Sequence, residues 1–563
     1  MNKAAKIILF VILILPAIIL SKSKDPVRAK NGMVVSASEI ASMVGVQILE
    51  KGGNAIDAAV ATGFALAVAY PQAGNIGGGG FMVIHFANGS STSIDYREKA
   101  PRSAFRDMYL NENGEFDITQ STSGWSSSGV PGSVDGMLYA LENYGTMELQ
   151  EVLEPAINLA ETGFPIDYRF ADVLNNYKLQ FIKNEAAKKI FTSEFDKFIG
   201  GDLFIQTDLA YTLSLIAKYG REGFYDGSVA KLIAKQSSEN GGYITLEDIK
   251  NYRSKERDPV YGKYRGYEII SMGPPSSGGI VLIETLNALE NFIIDKKDWG
   301  SSKYIHIVSE ILKYVYADRS KHLGDEDFYH VPKEWILSKE RGKEIASKIS
   351  KYAKPSLEIY PGSPLPNESD ETTHYNVVDS RGNMVSVTTT LNSTFGNKIV
   401  VDGAGFLLNN EMDDFSGKPG VPNQFGLLGG EANAIESNKR MLSAMTPTII
   451  LDKDDDPFML IGSPGGATII TTVLQVILNV IEFEMDIQTA IDMPRFHHQW
   501  MPDQIDYEPF GMSEDVRNNL VEIGHNLGTI GYMGRAEGII IDKKSGLFWG
   551  ASDPRGYGKA VGY

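Results

Sequence analysis

The chain contains no cysteine among its 563 residues. This absence excludes disulfide bonds, thiolate metal ligands and a cysteine nucleophile, so serine, threonine, lysine and the carboxylates remain as candidate nucleophiles. Basic residues are fewer than acidic residues. The chain has 53 Lys and Arg and 71 Asp and Glu, which gives a net charge of −18. This balance argues against a nucleic-acid partner, because phosphate backbones require a surface rich in lysine and arginine.

Long apolar runs are absent except at the N-terminus. Residues 7–20 are apolar throughout, follow Lys3 and Lys6, and precede a polar stretch. The run is too short for a comfortable membrane span but matches the apolar region of a signal peptide. Residues 1–24 are therefore predicted to direct export to a periplasm or out of the cell. An uncleaved N-terminal anchor stays open, because Ile19-Leu20-Ser21 is not a small-x-small cleavage sequence. Membrane contact is expected only if this segment is retained.

Histidines are few, eight in all, and only His497 and His498 are adjacent. Neighbouring side chains diverge, so this pair does not predict a zinc site. The acidic run Asp325-Glu326-Asp327 lacks the alternating ligands of an EF-hand loop and predicts a solvated loop. We expect neither a metal nor another cofactor.

An apolar content of 43% and a charged content of 22% are typical of a globular chain. Ser36 and Glu39 form a capping-box pattern that predicts a helix through Lys51. Asn54 caps a second predicted helix, residues 55–70, which is apolar on every side and so is expected to be buried. Four glycines, residues 77–80, then allow either a phosphate cradle or close backbone packing. No Gly-Lys-Ser/Thr follows, which favours packing.

The remaining pattern is helical first and strand-rich later. Strands are predicted at residues 81–86 and 91–96, and helices at residues 149–162, 209–219, 280–289 and 302–319. Beyond residue 372 alternating patterns and turn signals predict three hairpins, formed by residues 375–379 with 384–390, 448–451 with 458–462, and 538–542 with 547–550. A helix to about residue 482 follows the second hairpin.

The change from a proline-rich lead-in, residues 355–370, to a β pattern falls at Thr372. Such a junction suits a self-cleaving N-terminal nucleophile enzyme, in which a hydroxyl residue begins a core strand. A Thr-Thr pair at a strand start is also explained by β-propensity alone. The hairpin that follows is expected to bring Thr390 and Asn392 close to Thr372.

Charged residues offer further candidates that the pattern alone leaves open. Arg97, at the end of a predicted strand, is either a salt-bridging residue or a ligand for a carboxylate. Residues 411–414 contain three carboxylates and are either an ammonium site or an acidic loop. The segment 462–467 precedes a helix, whose free N–H groups can hold an oxyanion. Residues 419–430 have the composition of a mobile lid.

Taken together, these motifs closely resemble those of the γ-glutamyltranspeptidases along nearly the whole chain after the leader. The motifs that carry the resemblance are Gly52-Gly53-Asn54-Ala55, residues 74–81, Tyr96-Arg97-Glu98, Tyr316-Ala317-Asp318-Arg319, Thr372-Thr373-His374-Tyr375, Thr390-Leu391-Asn392, residues 409–415, Ser463-Pro464-Gly465-Gly466, residues 495–500 and residues 551–555. The resemblance implies an N-terminal nucleophile hydrolase, an α/β fold with four layers in the order α/β/β/α. It also implies a precursor cut before Thr372 into fragments 25–371 and 372–563, which form a heterodimer.

The resemblance also implies the role of each site residue. Thr372 would be the nucleophile, with its own α-amine as base, and Gly465 and Gly466 would hold the oxyanion; Thr390 would orient Thr372. The substrate α-carboxylate would be bound by Arg97 and Ser443, and its α-ammonium by Asn392, Glu411 and Asp414. The implied activity transfers the γ-glutamyl group of glutathione and related amides to water, amino acids or peptides.

Two positions depart from the family pattern. Ala444 stands where a second serine usually serves the α-carboxylate, so one hydroxyl is missing, and a hydrogen bond to a charged group contributes about 1.5–3 kcal/mol. Phe425 stands where bacterial relatives often carry tyrosine, so a hydroxyl that could bond Asn392 is absent. Two alternatives stay open: an acylase acting on a glutaryl or β-lactam side chain, and a non-catalytic exported protein that binds γ-glutamyl peptides.

Overall fold

The computed structural model describes residues 23–359, 372–424 and 426–563. Its strands, numbered in chain order, are β1 Val27–Ala29, β2 Gly32–Ser36, β3 Gly79–His85, β4 Ser91–Asp95, β5 Phe164–Pro165, β6 Leu203–Phe204, β7 Lys255–Arg257, β8 Val260–Tyr264, β9 Tyr267–Ser271, β10 Thr373–Asp379, β11 Met384–Thr390, β12 Thr448–Leu451, β13 Pro457–Gly462, β14 Phe496–His497, β15 Ile505–Tyr507, β16 Leu527–Thr529, β17 Glu537–Asp542, β18 Leu547–Ser552 and β19 Lys559–Gly562.

The α-helices are α1 Glu39–Glu50, α2 Ala55–Ala69, α3 Ile118–Thr122, α4 Ser133–Tyr144, α5 Leu149–Thr162, α6 Tyr168–Asn176, α7 Lys178–Phe181, α8 Glu185–Phe191, α9 Thr207–Tyr219, α10 Glu222–Tyr225, α11 Ser228–Glu239, α12 Leu246–Asn251, α13 Gly278–Leu289, α14 Ser302–His322, α15 Lys333–Ile336, α16 Lys339–Lys348, α17 Thr468–Ile481, α18 Ile487–Asp492 and α19 Glu514–Glu522. In the described part of the chain, no helix is both long enough and apolar enough to cross a membrane.

Two seven-stranded antiparallel sheets form the centre of the molecule. The first sheet has the order β1-β18-β17-β13-β12-β9-β8, and the second has the order β19-β2-β10-β11-β3-β4-β7. Strands β1 to β9 precede residue 371 and strands β10 to β19 follow it, so both sheets combine strands from the two sides of the predicted cleavage point. Smaller sheets, β14-β15-β16 and β5-β6, lie outside this centre.

The core is divided into layers because side chains alternate across each strand. On β10, Val377 packs toward the helices, whereas Val378 belongs to the cluster between the two sheets. Helices α1, α2 and α4 cover the outer face of the second sheet, and α13, α14 and α17 cover the outer face of the first sheet. The predicted four-layer α/β/β/α sandwich is therefore confirmed.

Local signals placed most elements correctly. Helix α2 is buried along its whole length and begins with a capping box formed by Asn54 and Asp57. The capping box predicted at Ser36 and Glu39 is wrong, because Ser38 caps α1 and Ser36 ends β2. The four glycines serve close packing, since a Cβ on Gly78 would lie 2.1 Å from the Thr390 carbonyl oxygen.

The acidic run that follows α14 is only partly the solvated loop that its sequence predicts, because Asp327 is exposed and Glu326 half-buried, whereas Asp325 is buried. Asp325 is fully buried, and its carboxylate accepts a 2.9 Å hydrogen bond from the backbone N–H of Arg440. Asp327 pairs with the guanidinium of Arg257 at 2.9 Å. Composition alone gave the wrong answer here because the compensating arginines come from distant parts of the chain.

Three sequence predictions fall outside the described residues. These are the N-terminal leader up to residue 22, the lead-in at residues 360–371, and the phenylalanine at position 425 in the predicted lid. The consequences predicted from them stay predictions.

Candidate active site

Thr372 directly precedes β10 in the middle of the second sheet. In the β10-β11 hairpin Thr373 pairs with Thr389, and the same register places Thr390 opposite Thr372. Thr372 is 6% exposed. The Thr390 hydroxyl accepts a 2.8 Å hydrogen bond from the backbone N–H of Asn392, which fixes its rotamer. The hairpin thus brings these three residues together as the sequence predicted.

A small cavity of about 30 Å³ opens beside Thr372. By its volume it holds roughly two water molecules. All but one of the predicted site residues line it, the exception being Gly465. The predicted residues on its wall are Arg97, Thr372, Thr390, Asn392, Glu411, Asp414, Ser443 and Gly466.

The two glycines ahead of α17 have backbone conformations suited to their residue type. Gly465 and Gly466 both have positive φ, +131° and +51°. Their carbonyl groups accept hydrogen bonds from the first turn of the helix, whereas their own N–H groups donate to no residue that the structure describes. The segment therefore offers two unused donors beside the cavity, as an oxyanion site requires.

Arg97 is completely buried just after β4. Its guanidinium donates hydrogen bonds to the carboxylates of Glu411 and Asp414, and its Nε donates to the Met441 carbonyl oxygen at 3.3 Å. The residue predicted to bind the substrate carboxylate thus pairs with two of the residues predicted to bind its ammonium. An isolated buried charge would be strongly unfavourable, which explains the pairing.

Burial also sets the protonation of the acidic groups. It raises the pKa of Glu411 well above its usual range and raises the pKa of Asp414, although the neighbouring Arg97 opposes both shifts. Glu98, also buried, lies 3.6 Å from the Arg97 guanidinium, and burial raises its pKa to about 7. Although burial opposes its charge, the carboxylates around Arg97 raise the pKa of the guanidinium.

A buried asparagine supports the acidic wall of the cavity. The Asn409 side chain donates to the carbonyl oxygens of Gly77 and Gly129, each at 2.9 Å. Its Oδ1 accepts from the backbone N–H groups of Gly129 at 2.8 Å and Glu411 at 3.0 Å. Asn392 adopts a positive φ of +75° and donates to the Asn410 carbonyl oxygen at 2.9 Å.

Ser443 and Ala444 form a further part of the cavity wall. The Ser443 carbonyl oxygen accepts from the backbone N–H and the hydroxyl of Ser277, at 2.8 and 2.6 Å. The Ser443 hydroxyl accepts a 3.1 Å hydrogen bond from the Met445 N–H. Ala444 lines the cavity with a methyl group, so this wall lacks the second hydroxyl.

The predicted lid is attached to the site by specific hydrogen bonds. The backbone N–H of Gln424 donates to Asp413 at 2.9 Å, and its side-chain oxygen accepts from the Ser393 hydroxyl at 2.9 Å. Burial raises the pKa of Asp413 to about 7. The third carboxylate of the acidic run therefore holds the lid rather than facing the cavity.

Two groups of side chains in the described residues have the composition of metal ligands, but neither lines the cavity. One is His306, Glu310 and His525, and the other is formed by three aspartates, Asp452, Asp454 and Asp456. Lys313 pairs with Glu310 at 2.9 Å, and Lys543 pairs with Asp452 at 2.6 Å. The expectation of no metal stays a prediction.

Sequence reasoning overlooked three residues of the site. Glu98 and Asn409 were noted only as parts of motifs, and the Tyr316-Ala317-Asp318-Arg319 motif was given no role, although Arg319 lines the cavity. The spacing of Tyr316 and Arg319, which share one face of α14, was the available signal for the last of these.

The comparisons with known proteins agree with this geometry. A family model described as gamma-glutamyltranspeptidase matches residues 41–563. The chain belongs to the γ-glutamyltranspeptidase family. It is 49% identical over 532 residues to a glutathione hydrolase proenzyme of Escherichia coli (strain K12), covering 94% of this chain and 91% of that protein.

Solved structures give the same fold. A cephalosporin acylase from Bacillus halodurans superposes with a TM-score of 0.86 at 28% identity, over 96% of this chain and 97% of that one. A γ-glutamyltranspeptidase chain from Helicobacter pylori is 46% identical with a TM-score of 0.57, over 61% of this chain and 96% of its own length. The fold and the family predicted from the sequence are both confirmed.

Proposed function

We propose that this member of the family is a self-processing γ-glutamyltransferase and glutathione hydrolase with Thr372 as its nucleophile. The observation that carries the proposal is a single cavity in which Thr372 lies with two buried arginines, Arg97 and Arg319, and two carboxylates, the buried Glu411 and the half-buried Asp414. A hydroxyl nucleophile beside groups of both signs suits an amide substrate whose far end is zwitterionic, as the γ-glutamyl group is.

In the precursor, the Thr372 hydroxyl attacks the carbonyl carbon of Glu371, and the acyl group shifts from nitrogen to oxygen. This shift breaks the Glu371–Thr372 peptide bond and frees the α-amine of Thr372. Water then hydrolyses the ester, which frees the Thr372 hydroxyl and leaves a carboxylate on Glu371. The resulting fragments, 25–371 and 372–563, stay associated as a heterodimer because each contributes strands to both sheets. Several relatives carry the word proenzyme in their names, which supports a precursor.

In the mature enzyme the α-amine of Thr372, with a reference pKa near 8, accepts the proton of its own hydroxyl. The hydroxyl oxygen attacks the γ-carbonyl carbon, and the oxyanion is held by the N–H groups of Gly465 and Gly466. Loss of one such donor costs about 3 kcal/mol. The departing amine takes a proton, and water, an amino acid or a peptide then cleaves the acyl ester.

Substrate binding exchanges ion-pair partners. The α-carboxylate replaces Glu411 and Asp414 at the Arg97 guanidinium, with the Ser443 hydroxyl as a further donor. The α-ammonium takes the two released carboxylates, together with Asn392. Each buried charge keeps a partner of opposite sign throughout, which avoids the cost of an unpaired buried ion.

An acylase acting on a glutaryl or β-lactam side chain is the second candidate. Ala444 removes one donor for the α-carboxylate, and the chain superposes well on a cephalosporin acylase. The presence of Glu411 and Asp414 favours a γ-glutamyl substrate, because a glutaryl group has no ammonium for them to bind.

The processed chain tests both candidates through kcat/KM for γ-glutamyl-4-nitroanilide and glutaryl-4-nitroanilide, which differ only in the ammonium. We expect the γ-glutamyl donor to be preferred at least about tenfold, since a hydrogen bond between charged groups contributes 1.5–3 kcal/mol. Preference for the glutaryl donor would replace the proposal with the acylase.

Processing is tested by the intact masses of the wild-type chain and of Thr372→Ala. We expect two fragments from the wild type, the smaller beginning at Thr372, and one uncut chain from the variant. An uncut wild-type chain that still binds glutathione would instead indicate the non-catalytic binding protein.

We further propose that residues 1–24 direct export to the periplasm or beyond, on the pattern of Lys3, Lys6 and the apolar run 7–20. Fractionation of cells that express the full chain, beside a variant lacking residues 2–24, tests this. Recovery of the full-length form in the cytoplasm would contradict it.

A further inference from the structure

We propose that Arg319 is a second cation for the α-carboxylate of the γ-glutamyl group, at the wall where Ala444 leaves a donor missing. This inference rests on the proposed function and assigns an additional binding residue to the same site. Arg319 lines the cavity together with Arg97, Ser443 and Ala444.

Arg319 is buried with no carboxylate within salt-bridge distance among the described residues, although the charge of Asp414 acts on it from farther away. It is 4% exposed, and its guanidinium forms no ion pair with any residue in the ranges that the structure describes. The other arginines buried near the cavity do have carboxylate partners, Arg97 with Glu411 and Arg440 with Asp95. A buried cation without an anion is unfavourable, so the cavity beside it is electrostatically suited to an anionic ligand.

Arg319 is held against the residues predicted to bind the carboxylate. Its Nε donates a 2.8 Å hydrogen bond to the Ser277 hydroxyl, which itself donates to the Ser443 carbonyl oxygen at 2.6 Å. The backbone that carries Ser443 and Ala444 is therefore one side chain away from the guanidinium. Because Nε is used for Ser277, the two terminal nitrogens remain for a planar carboxylate, which guanidinium binds with parallel hydrogen bonds.

Helix α14 directs this side chain toward the site. Tyr316, one turn earlier on the same face, donates a 2.8 Å hydrogen bond to the Ala467 carbonyl oxygen, next to the predicted oxyanion donors. Arg319 lies in the last turn of the helix, where the macrodipole favours a positive charge. The helix end thus lowers the cost of burying this cation.

The position of Arg319 indicates which carboxylate of the substrate it would bind. Its hydrogen-bonded neighbours lead to Ser443, on the wall assigned to the α-carboxylate, and both Arg319 and Asp414 line the same cavity. A zwitterion seated between Arg97 and Asp414 therefore presents its carboxylate to both arginines. The second guanidinium offsets the hydroxyl that Ala444 does not provide.

The test measures two donors with the wild type, Arg319→Gln and Arg319→Lys. One donor is γ-glutamyl-4-nitroanilide. The other is 4-aminobutanoyl-4-nitroanilide, which keeps the ammonium but lacks the α-carboxylate. We expect Arg319→Gln to lower kcat/KM for the γ-glutamyl donor about 10- to 100-fold and to leave kcat/KM for the other within about threefold. Arg319→Lys keeps the charge but not the planar fork, so its loss should be smaller. Adding Ala444→Ser to Arg319→Gln should restore part of the lost activity.

Arg341→Gln is the matched control, because Arg341 is buried behind the same helix and pairs with Asp318 at 3.0 Å without lining the cavity. It should lower Tm and leave the ratio between the donors unchanged. An equal loss of kcat/KM for both donors in processed Arg319→Gln would overturn the inference. Arg319 would then only hold Ser443 in position. If the proposed function itself is wrong, the wild type will leave the γ-glutamyl donor intact, so this failure can be distinguished from failure of the inference about Arg319.

Discussion

The guanidinium of Arg97 is bonded to the carboxylate of Glu411, although 314 residues separate them in the chain. Each is the expected partner of one end of an amino-acid zwitterion, so in their mutual ion pair each stands in for the ligand of the other. Recognition of the γ-glutamyl group therefore depends on exchanging one set of buried ion pairs for another, with little change in net charge.

The first prediction concerns this pair. Arg97→Gln leaves Glu411 and Asp414 without their cation and should lower the free energy of unfolding by about 3 kcal/mol, because an unpaired buried charge is strongly unfavourable. Adding Glu411→Gln should recover part of that loss. Urea unfolding of the two single variants and the double variant measures the coupling.

Arg102→Gln is the control for this cycle, because the Arg102–Glu247 pair is 68% and 63% exposed and should contribute less than about 1 kcal/mol. Additive losses for Arg97 and Glu411 would contradict the coupling between them.

The second prediction follows from the pKa of about 7 that burial gives to Glu98. A carboxyl whose pKa is higher in the folded state binds more protons there, so its contribution to stability falls as pH rises from about 4.5 to 7. Glu98→Gln removes this titration. The Tm of the variant minus the Tm of the wild type should therefore be more positive at pH 8 than at pH 5. Thermal unfolding of both proteins across this pH range measures the difference.

A parallel shift of both Tm curves over that pH range would show that Glu98 does not titrate in the folded chain. Glu39→Gln, at the exposed N-terminus of α1, is a suitable control for the loss of one carboxylate at the surface.

The third prediction concerns the residue opposite the nucleophile. Thr390→Val keeps the side-chain volume but removes the hydroxyl that accepts the Asn392 N–H. Loss of orientation at Thr372 should lower kcat at least about tenfold and slow the appearance of the two fragments. Steady-state kinetics and a time course of processing on a gel are the measurements.

Thr389→Val is the matched control, because Thr389 is the next residue on β11, faces the other side of the sheet and bonds the Gly79 carbonyl oxygen at 2.8 Å. It should reduce stability rather than kcat. Equal kcat values for the two variants would contradict a role for the Thr390 hydroxyl.

The fourth prediction concerns Asn409, whose side chain makes four hydrogen bonds to backbone groups. Asn409→Ala leaves buried N–H and carbonyl groups without partners and should cost about 2–4 kcal/mol of folding free energy. The wall that carries Glu411 should loosen as well, so KM should rise. Urea unfolding and steady-state kinetics measure the two effects.

Asn111 offers a comparison, since its side chain also bonds backbone N–H groups, of Asn113 at 2.9 Å and Glu115 at 3.0 Å, but on an exposed turn. Asn111→Ala should cost less than about 1 kcal/mol, because water replaces the lost partner. A similar loss at both positions would contradict the importance of burial at Asn409.

Elements with strong local signals were predictable from the sequence. The capping residue Asn54 and the unbroken apolar pattern after it defined α2, and alternation around a four-residue turn signal defined the β10-β11 hairpin. The hairpin register in turn placed Thr390 beside Thr372, since pairing across a short turn depends only on neighbouring residues. These features required no information from distant parts of the chain.

Prediction failed where the partner of a residue lies far away. The acidic run at residues 325–327 has the composition of a surface loop, yet its first residue, Asp325, is buried against Arg257 and Arg440. The cap of α1 was misplaced by two residues because Ser36 belongs to β2, whose partners β10 and β19 come from the other end of the chain.

The sequence by itself determined the family, the layered α/β fold and the absence of any cysteine chemistry, because residue types and short patterns carry that information. The tertiary structure alone decided that Arg97 pairs with Glu411 and Asp414, that Glu98 is buried beside them, and that Arg319 lines the cavity with no salt-bridge partner in the described part of the chain. Burial and charge compensation depend on what surrounds a side chain, and here the surroundings come from segments hundreds of residues apart.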